Sequence, residues 1–173
     1  MPDSRLTLLA PAPRPNLAGV RERPSSRLLI LDREHRLLLF RFEHKRGPLT
    51  GQAFWATPGG GVDRGESFEA AACRELLEET GRHIEDPSPQ VARREASFRL
   101  AATGEMVTAD ERFFLIRIHD LEVSAENWTE VERDVMSAHR WWSHAELKST
   151  TDQIWPENLA EMLINAGVWK PLA

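Results

Sequence analysis

The run from Glu66 to Thr80 constrains this chain most. It contains neither proline nor glycine and is rich in alanine, glutamate, leucine and arginine. Such a run is a strong helix former. Gly65 precedes it and Gly81 follows it, the latter where a helix closes with a left-handed residue. At 100° per residue, Glu75, Glu78 and Glu79 fall on one arc of that helix. Ala70, Cys73, Leu76 and Leu77 fall on the opposite arc, which predicts that this apolar side packs on a sheet. Like charges so close repel by a few tenths of a kcal/mol per pair. A hard divalent cation, Mg²⁺ or Mn²⁺, resolves that conflict, because it takes oxygen ligands and leaves positions for water and phosphate. Arg74 adds a fixed positive charge beside the cluster. Gly59, Gly60 and Gly61 let the backbone come close, so that a main-chain carbonyl can join a metal shell or contact a ligand.

Around this helix the chain alternates short apolar runs with turns. Leu28–Leu31 and Leu37–Phe40 flank the polar stretch Asp32-Arg33-Glu34-His35-Arg36, which predicts a β-hairpin buried on both faces. Phe54-Trp55-Ala56 predicts a strand that stops at Pro58-Gly59. Further strands are expected over Arg94–Thr103, Glu111–His119 and Arg140–Trp142. Ser143 is placed to cap a short helix through Leu147. A last helix is expected over Pro156–Ala166, with Pro156 near its first turn. Residues 1–24 carry Pro2, Pro11, Pro13, Pro15 and Pro24 and read as an extended arm, with a short strand at Leu6–Ala10. Residues 25–173 then form a single domain, without an internal repeat.

The chain has 173 residues and a mass of 19.7 kDa, a size for one domain with its own core. Its 22 basic and 27 acidic residues leave a net charge of −5. A nucleic-acid polymer or an anionic membrane is therefore not expected as the main partner, since both reward positive charge. A small anionic ligand is compatible if a local cation offsets that charge. One cysteine, Cys73, excludes an internal disulfide and a cysteine-rich zinc site. With no apolar run long enough for a membrane span and no convincing signal peptide, a cytoplasmic protein is expected.

The segment from Gly60 to Arg82 resembles the Nudix box, G-x5-E-x7-R-E-U-x-E-E-x-G-U, where U is a bulky aliphatic residue. Gly60 opens it, Glu66 follows, then Arg74-Glu75-Leu76, Glu78-Glu79 and Gly81. The last position departs, holding Arg82, with Ile84 two residues on to supply the packing. Trp55 to Gly61 and Arg140-Trp141-Trp142 extend the resemblance to roughly Ser26–Leu147. The resemblance implies an α/β fold, an α/β/α sandwich around a mixed, curved sheet. It implies hydrolysis of a nucleoside diphosphate linked to another group, by water attack on a pyrophosphate phosphorus. Glu75, Glu78 and Glu79 match the family's metal-binding glutamates. The carbonyl of Gly59 or Gly60 matches its main-chain contact to the metal. Arg74 and Glu66 match the pair that orients loop and helix. The general base is either a box glutamate or a later acid, for which Glu130 and Glu132 are the candidates.

Two rivals share the fold. An isopentenyl diphosphate isomerase needs a cysteine at its site, and Cys73 is expected in the core. A non-catalytic nucleotide sensor usually carries an added DNA-binding domain or a decayed box; a chain of this length is not expected to hold the first, and the box glutamates are all in place. His44, Lys45 and Arg46 read as an exposed polar loop with an option on phosphate contact. Phe54, Trp55, Trp141 and Trp142 read mostly as core, with one left exposed for base stacking. A homodimer is the simplest symmetric assembly for a soluble enzyme.

Overall fold

A computed structural model describes residues 20–46, 50–100 and 103–172. The strand expected at Leu6–Ala10 and most of the arm lie outside these residues. The apolar run after Arg27 becomes the second half of β1 (Arg21–Leu31), which turns through Asp32–Arg36 into β2 (Leu37–Glu43). Asp32 fixes that turn, its Oδ1 accepting from the N–H groups of Glu34 and Arg36. β3 (Ala53–Ala56) pairs with β2, and β4 (Gly59–Gly61) returns to pair with β1. Then come α1 (Phe68–Thr80), β5 (Gln90–Arg99), β6 (Met106–Arg117), α2 (Glu130–Val135), β7 (Met136–Trp142), α3 (His144–Ser149), β8 (Ile154–Trp155) and α4 (Leu159–Asn165).

The strands form one mixed sheet in the order β5-β6-β1-β2-β3-β8, with β4 also on β1 and β7 also on β2. β1 runs parallel to β6, and β3 parallel to β8; the other pairings are antiparallel. Residues of β1 and β2 alternate between two cores. Leu28, Ile30, Leu38 and Phe40 pack on one face with Ala72 and Leu76 of α1. Leu29, Leu31, Leu37 and Leu39 pack on the other with Trp142 and with Leu159, Met162 and Leu163 of α4. Covering both faces is what makes these strands read as unbroken apolar runs. The expected α/β/α sandwich is the fold observed.

Several boundaries differ from the sequence reading. Pairing with β6 runs the whole length of β1, from Arg21↔Val107 onward. Arg21–Pro24 are therefore strand, not arm, and β6 starts earlier than expected. β5 ends at Arg99 because the chain turns there: the Leu100 N–H donates to the Glu105 carbonyl, and Gly104 adopts φ 71°. α4 begins three residues after Pro156, since Trp155 is still extended against Ala56 of β3. Ser143 caps α3 as expected, its Oγ accepting from the Glu146 N–H while the Glu146 carboxylate accepts the Ser143 N–H.

Candidate functional site

α1 opens at Ser67, whose Oγ accepts the Ala70 N–H at 3.1 Å, and closes at Gly81 with φ 78°. Its buried residues are Ala71, Ala72, Glu75, Leu76, Glu79 and Thr80. This corrects the expected orientation. Leu77 is exposed, Ala70 is exposed, and Cys73 is half-buried, while Glu75 and Glu79 have no accessible surface. The helix turns two of the three clustered carboxylates, Glu75 and Glu79, inward against β4.

Glycine permits this approach. A Cβ on Gly60 would stand 2.5 Å from Glu75 Oε1. Gly59 adopts φ 123°, and a Cβ there would stand 2.2 Å from the Ser26 carbonyl oxygen. Glu79 Oε2 accepts the Gly59 N–H at 2.6 Å. Arg74 gathers the rest of the loop. It donates to both oxygens of Glu66, at 2.9 and 2.8 Å, and to the Gly61 carbonyl at 2.9 Å. It also donates to Glu75 Oε1 at 2.6 Å and Glu78 Oε2 at 3.3 Å. Those hydrogen bonds, Glu66's above all, and the carboxylates around it raise the Arg74 pKa further, so it stays a cation.

The later acids separate. Both lie on α2 rather than in a loop. Glu130 is exposed at its first turn, while Glu132 is buried. Glu132 Oε2 accepts the Thr129 N–H at 2.6 Å in a capping box. Its other oxygen, with Glu75 Oε2 and Glu79 Oε1, is buried without a hydrogen-bond partner among the described residues. Burial pushes Glu75 up to about 7, against the pull of Arg74. Burial, then the charges of Glu75 and Glu132, pushes Glu79 well above the usual carboxylate range. Buried carboxylates that lack partners are costly, and hard oxygen donors of this kind suit a divalent cation. As they stand, no three acidic, histidine or cysteine side chains among the described residues form a ready ligand set. Arg74 occupies Glu75 and Glu78, and Gly59 occupies Glu79.

The remaining expectations resolve by packing. Cys73 lies outside this cluster and lines a separate cleft with Glu69, His83 and Ile84; burial raises its thiol pKa. Ile84 packs on the α1-side core, the role expected of it when Arg82 replaced an aliphatic residue. His44 is buried beside Phe54, not an exposed loop residue, and burial lowers its pKa. Arg46 pairs with Asp134 at 2.8 Å. Phe54, Trp55 and Trp142 are core, whereas Trp141 is half-buried. Trp141 and Arg82 line a cleft of about 630 Å³ beyond the C-terminal end of α1. Of the charged groups lining that cleft, Asp32 pairs with Arg36 and Asp120 with Arg33. The unpartnered buried oxygens, not the volume, mark the chemistry. Sequence reasoning missed Trp128, which donates to the Glu79 carbonyl at 2.8 Å, and the buried Arg27–Glu111 pair. An arginine directly before Leu28-Leu29-Ile30-Leu31 was the available signal for Arg27.

The profile of the NUDIX domain matches residues 21–163. The chain belongs to the NUDIX domain family. Members of this family generally need divalent metal ions. "Nudix hydrolase 10" of Arabidopsis thaliana is 35% identical over 92 residues, covering 52% of this chain and 33% of that protein. An RNA pyrophosphohydrolase of Rhizobium meliloti is 40% identical over 65 residues, covering 34% of this chain and 36% of that protein. The chain spans about a third of the length of these curated relatives. Among solved structures, a MutT protein from Methanosarcina mazei shares the fold with a TM-score of 0.59 at 20% identity, covering 84% of this chain and 93% of that one. A MutT NUDIX hydrolase from Burkholderia pseudomallei gives 0.53 at 27% identity, covering 81% and 95%.

Proposed function

We propose that this NUDIX chain is a cytoplasmic Mg²⁺-dependent pyrophosphohydrolase acting on a nucleoside diphosphate linked to another group. The observation that carries the reading is the set of buried carboxylate oxygens without a hydrogen-bond partner among the described residues on Glu75, Glu79 and Glu132, the first two packed against Gly60 and Gly59. Glu75, Glu78 and Glu79, with a main-chain carbonyl of the glycine strand such as that of Gly60, would hold the cation; Mn²⁺ suits the same oxygens. When bound, the ion neutralises phosphate charge and lowers the pKa of water. Arg74 fixes Glu75 and Glu78 and ties Gly61 to Glu66, so the glycine strand is held ready for the pyrophosphate. Glu132 Oε1 is the proton acceptor we favour, because its other oxygen is committed to Thr129 and Glu130 points to solvent. Water adds to one phosphorus, the bond to the bridging oxygen breaks, and the other phosphate leaves.

The relatives that are RNA pyrophosphohydrolases favour a second reading, in which the pyrophosphate sits at the 5′ end of an RNA. The net charge of −5 favours the small molecule. The isomerase reading loses support, because Cys73 lies on the outward side of α1, away from Glu75 and Glu79.

A hydrolysis screen with Mg²⁺ across nucleoside diphosphate derivatives and a 5′-polyphosphorylated RNA tests the proposal. Products are identified by mass, with Glu78→Gln, Glu79→Gln and a chelator in parallel. Turnover on a small nucleotide that vanishes in all three controls supports it. Turnover on the RNA alone moves the substrate to the second reading. Nucleotide binding without turnover on any substrate makes the chain a sensor and overturns the enzyme.

A further inference from the structure

Behind the glycine strand, opposite the carboxylates, lies a second buried charged group that the proposed reaction does not use. Arg27 of β1 donates from Nε to Glu111 Oε1 at 3.0 Å, and from Nη1 to the Gly59 carbonyl at 2.8 Å. Arg94 Nη1 lies 3.7 Å from Glu111 Oε2, an ion pair without a hydrogen bond. Arg27 and Glu111 are almost wholly buried. A buried ion pair is a poor way to gain stability, since well-packed apolar residues in its place are often neutral or better. This pair sits beside Leu28–Leu31, where apolar residues would continue the core without a break.

The second donor of Arg27 shows what the pair does. It reaches Gly59, whose N–H donates to Glu79. Gly59 is gripped from two sides: Arg27 takes its carbonyl and Glu79 takes its N–H. Its backbone lies at φ 123° against the Ser26 carbonyl, so its own conformation does not fix it and external contacts must. We propose that Arg27, held by Glu111, is a positioning residue that aims Glu79 at the cation through the backbone of Gly59. The inference rests on the reading of Glu79 as a cation ligand. Groups that orient a metal's ligands typically contribute 10–100-fold in metal affinity.

The test measures Mn²⁺ binding to the full chain without nucleotide, from the loss of the free Mn²⁺ signal in electron paramagnetic resonance. Arg27→Met and Glu111→Gln are expected to weaken binding about 10-fold to 100-fold. Arg27→Lys recovers part of the loss, because an ammonium can reach the Gly59 carbonyl but cannot also bridge to Glu111 in the same fork geometry. Leu163→Ala, in the core on the far face, lowers the melting temperature and leaves Mn²⁺ affinity unchanged. Glu79→Gln separates the two levels of the argument. If it loses Mn²⁺ while Arg27→Met and Glu111→Gln bind within about twofold of the wild type, the positioning role is overturned and the ligand reading stands. If Glu79→Gln binds like the wild type, the ligand reading fails and takes the inference with it. Equal weakening by Leu163→Ala and Arg27→Met reduces Arg27 to a structural residue. Should Arg27→Met not fold, wild-type affinity in Glu111→Gln overturns the inference, and at least tenfold weakening with partial loss in Arg27→Lys supports it.

Discussion

On one face of the sheet, Leu159, Met162 and Leu163 of α4 pack with Leu29, Leu31 and Trp142, and burial of these apolar side chains favours folding. On the other face, α1 brings Ala72 and Leu76 to the sheet but also turns Glu75 and Glu79 inward. Both helices obey the same rule of helix-on-sheet packing. They differ in what the buried stripe contains. α4 closes the fold; α1 closes it while carrying charges that oppose closure. The difference predicts that stability and activity separate by face. Substitutions on the α1 face should trade one for the other, and those on the α4 face should change stability alone.

The largest effect is expected from Glu79→Gln. Losing a positioning group typically costs 10–100-fold, so losing a ligand should lower turnover by at least about 100-fold. The same change removes a buried charge with an unpartnered oxygen, so the metal-free protein should melt higher, by about 2–4 °C per kcal/mol gained. Turnover and calorimetry in chelator check both halves. A lower melting temperature in chelator would show that the carboxylate is not strained, and the comparison between faces would break. Leu159→Ala gives the mirror image: about 2–5 kcal/mol lost to a cavity, with turnover per folded molecule unchanged. A fall in its specific activity would show that the two faces are coupled.

A pH series sharpens the same contrast. Burial raises Glu75 to about 7 from the usual 4.5. Below 4.5 the carboxyl is protonated in the folded and unfolded chains alike, and it does not oppose folding. As pH rises above 4.5 the unfolded chain ionises it while the folded chain keeps its proton until about 7, so stability is lost across that window. In chelator the wild type should lose melting temperature relative to Glu75→Gln between pH 4.5 and about 7.5. Saturating Mg²⁺ should reverse the difference, because the ion stabilises the folded wild type and Glu75→Gln has lost a ligand to it. Parallel curves in chelator would refute the burial of an ionisable Glu75.

Much of this was legible in the sequence, and the failures have causes. The hairpin, α1 and the Ser143 cap follow from apolar runs and local capping chemistry, which act within a few residues. The glutamate spacing was legible for the same reason. The direction of the helix was not. At 100° per residue, the stripe Ala70, Cys73, Leu76, Leu77 is more apolar than Ala71, Ala72, Glu75, Leu76, Glu79, yet the second is the one buried. The glycines of β4 decide it by leaving room for carboxylates that hydrophobicity alone would send outward. Arg27 and Glu111 meet across 84 residues, beyond any local pattern. The burial of Glu132 beside an exposed Glu130 has a local signal in the sequence, since Thr129 followed three residues later by Glu132 is a capping box.

The smallest effects compare the two serine caps. Ser67 opens α1 and Ser143 opens α3, and replacing either by alanine removes one hydrogen bond to a helix N–H, a loss of about 0.5–2 kcal/mol. If stability were all that mattered, the two would behave alike in every assay. They sit differently with respect to the site. Ser67 adjoins Glu66, whose two oxygens both receive donors from Arg74. That double contact holds the start of α1 whether or not the cap is present. Ser67→Ala should therefore lower the melting temperature about as much as Ser143→Ala, while turnover stays within about twofold of the wild type in both. Removing the Arg74 contact as well, in Ser67→Ala with Glu66→Ala, should expose the redundancy: the double variant should lose more turnover than the two single changes combined, because either contact alone is enough to hold the loop. Simple additivity would mean that the cap and the Arg74–Glu66 pair position different things, and that the glycine strand is held by Arg74 alone.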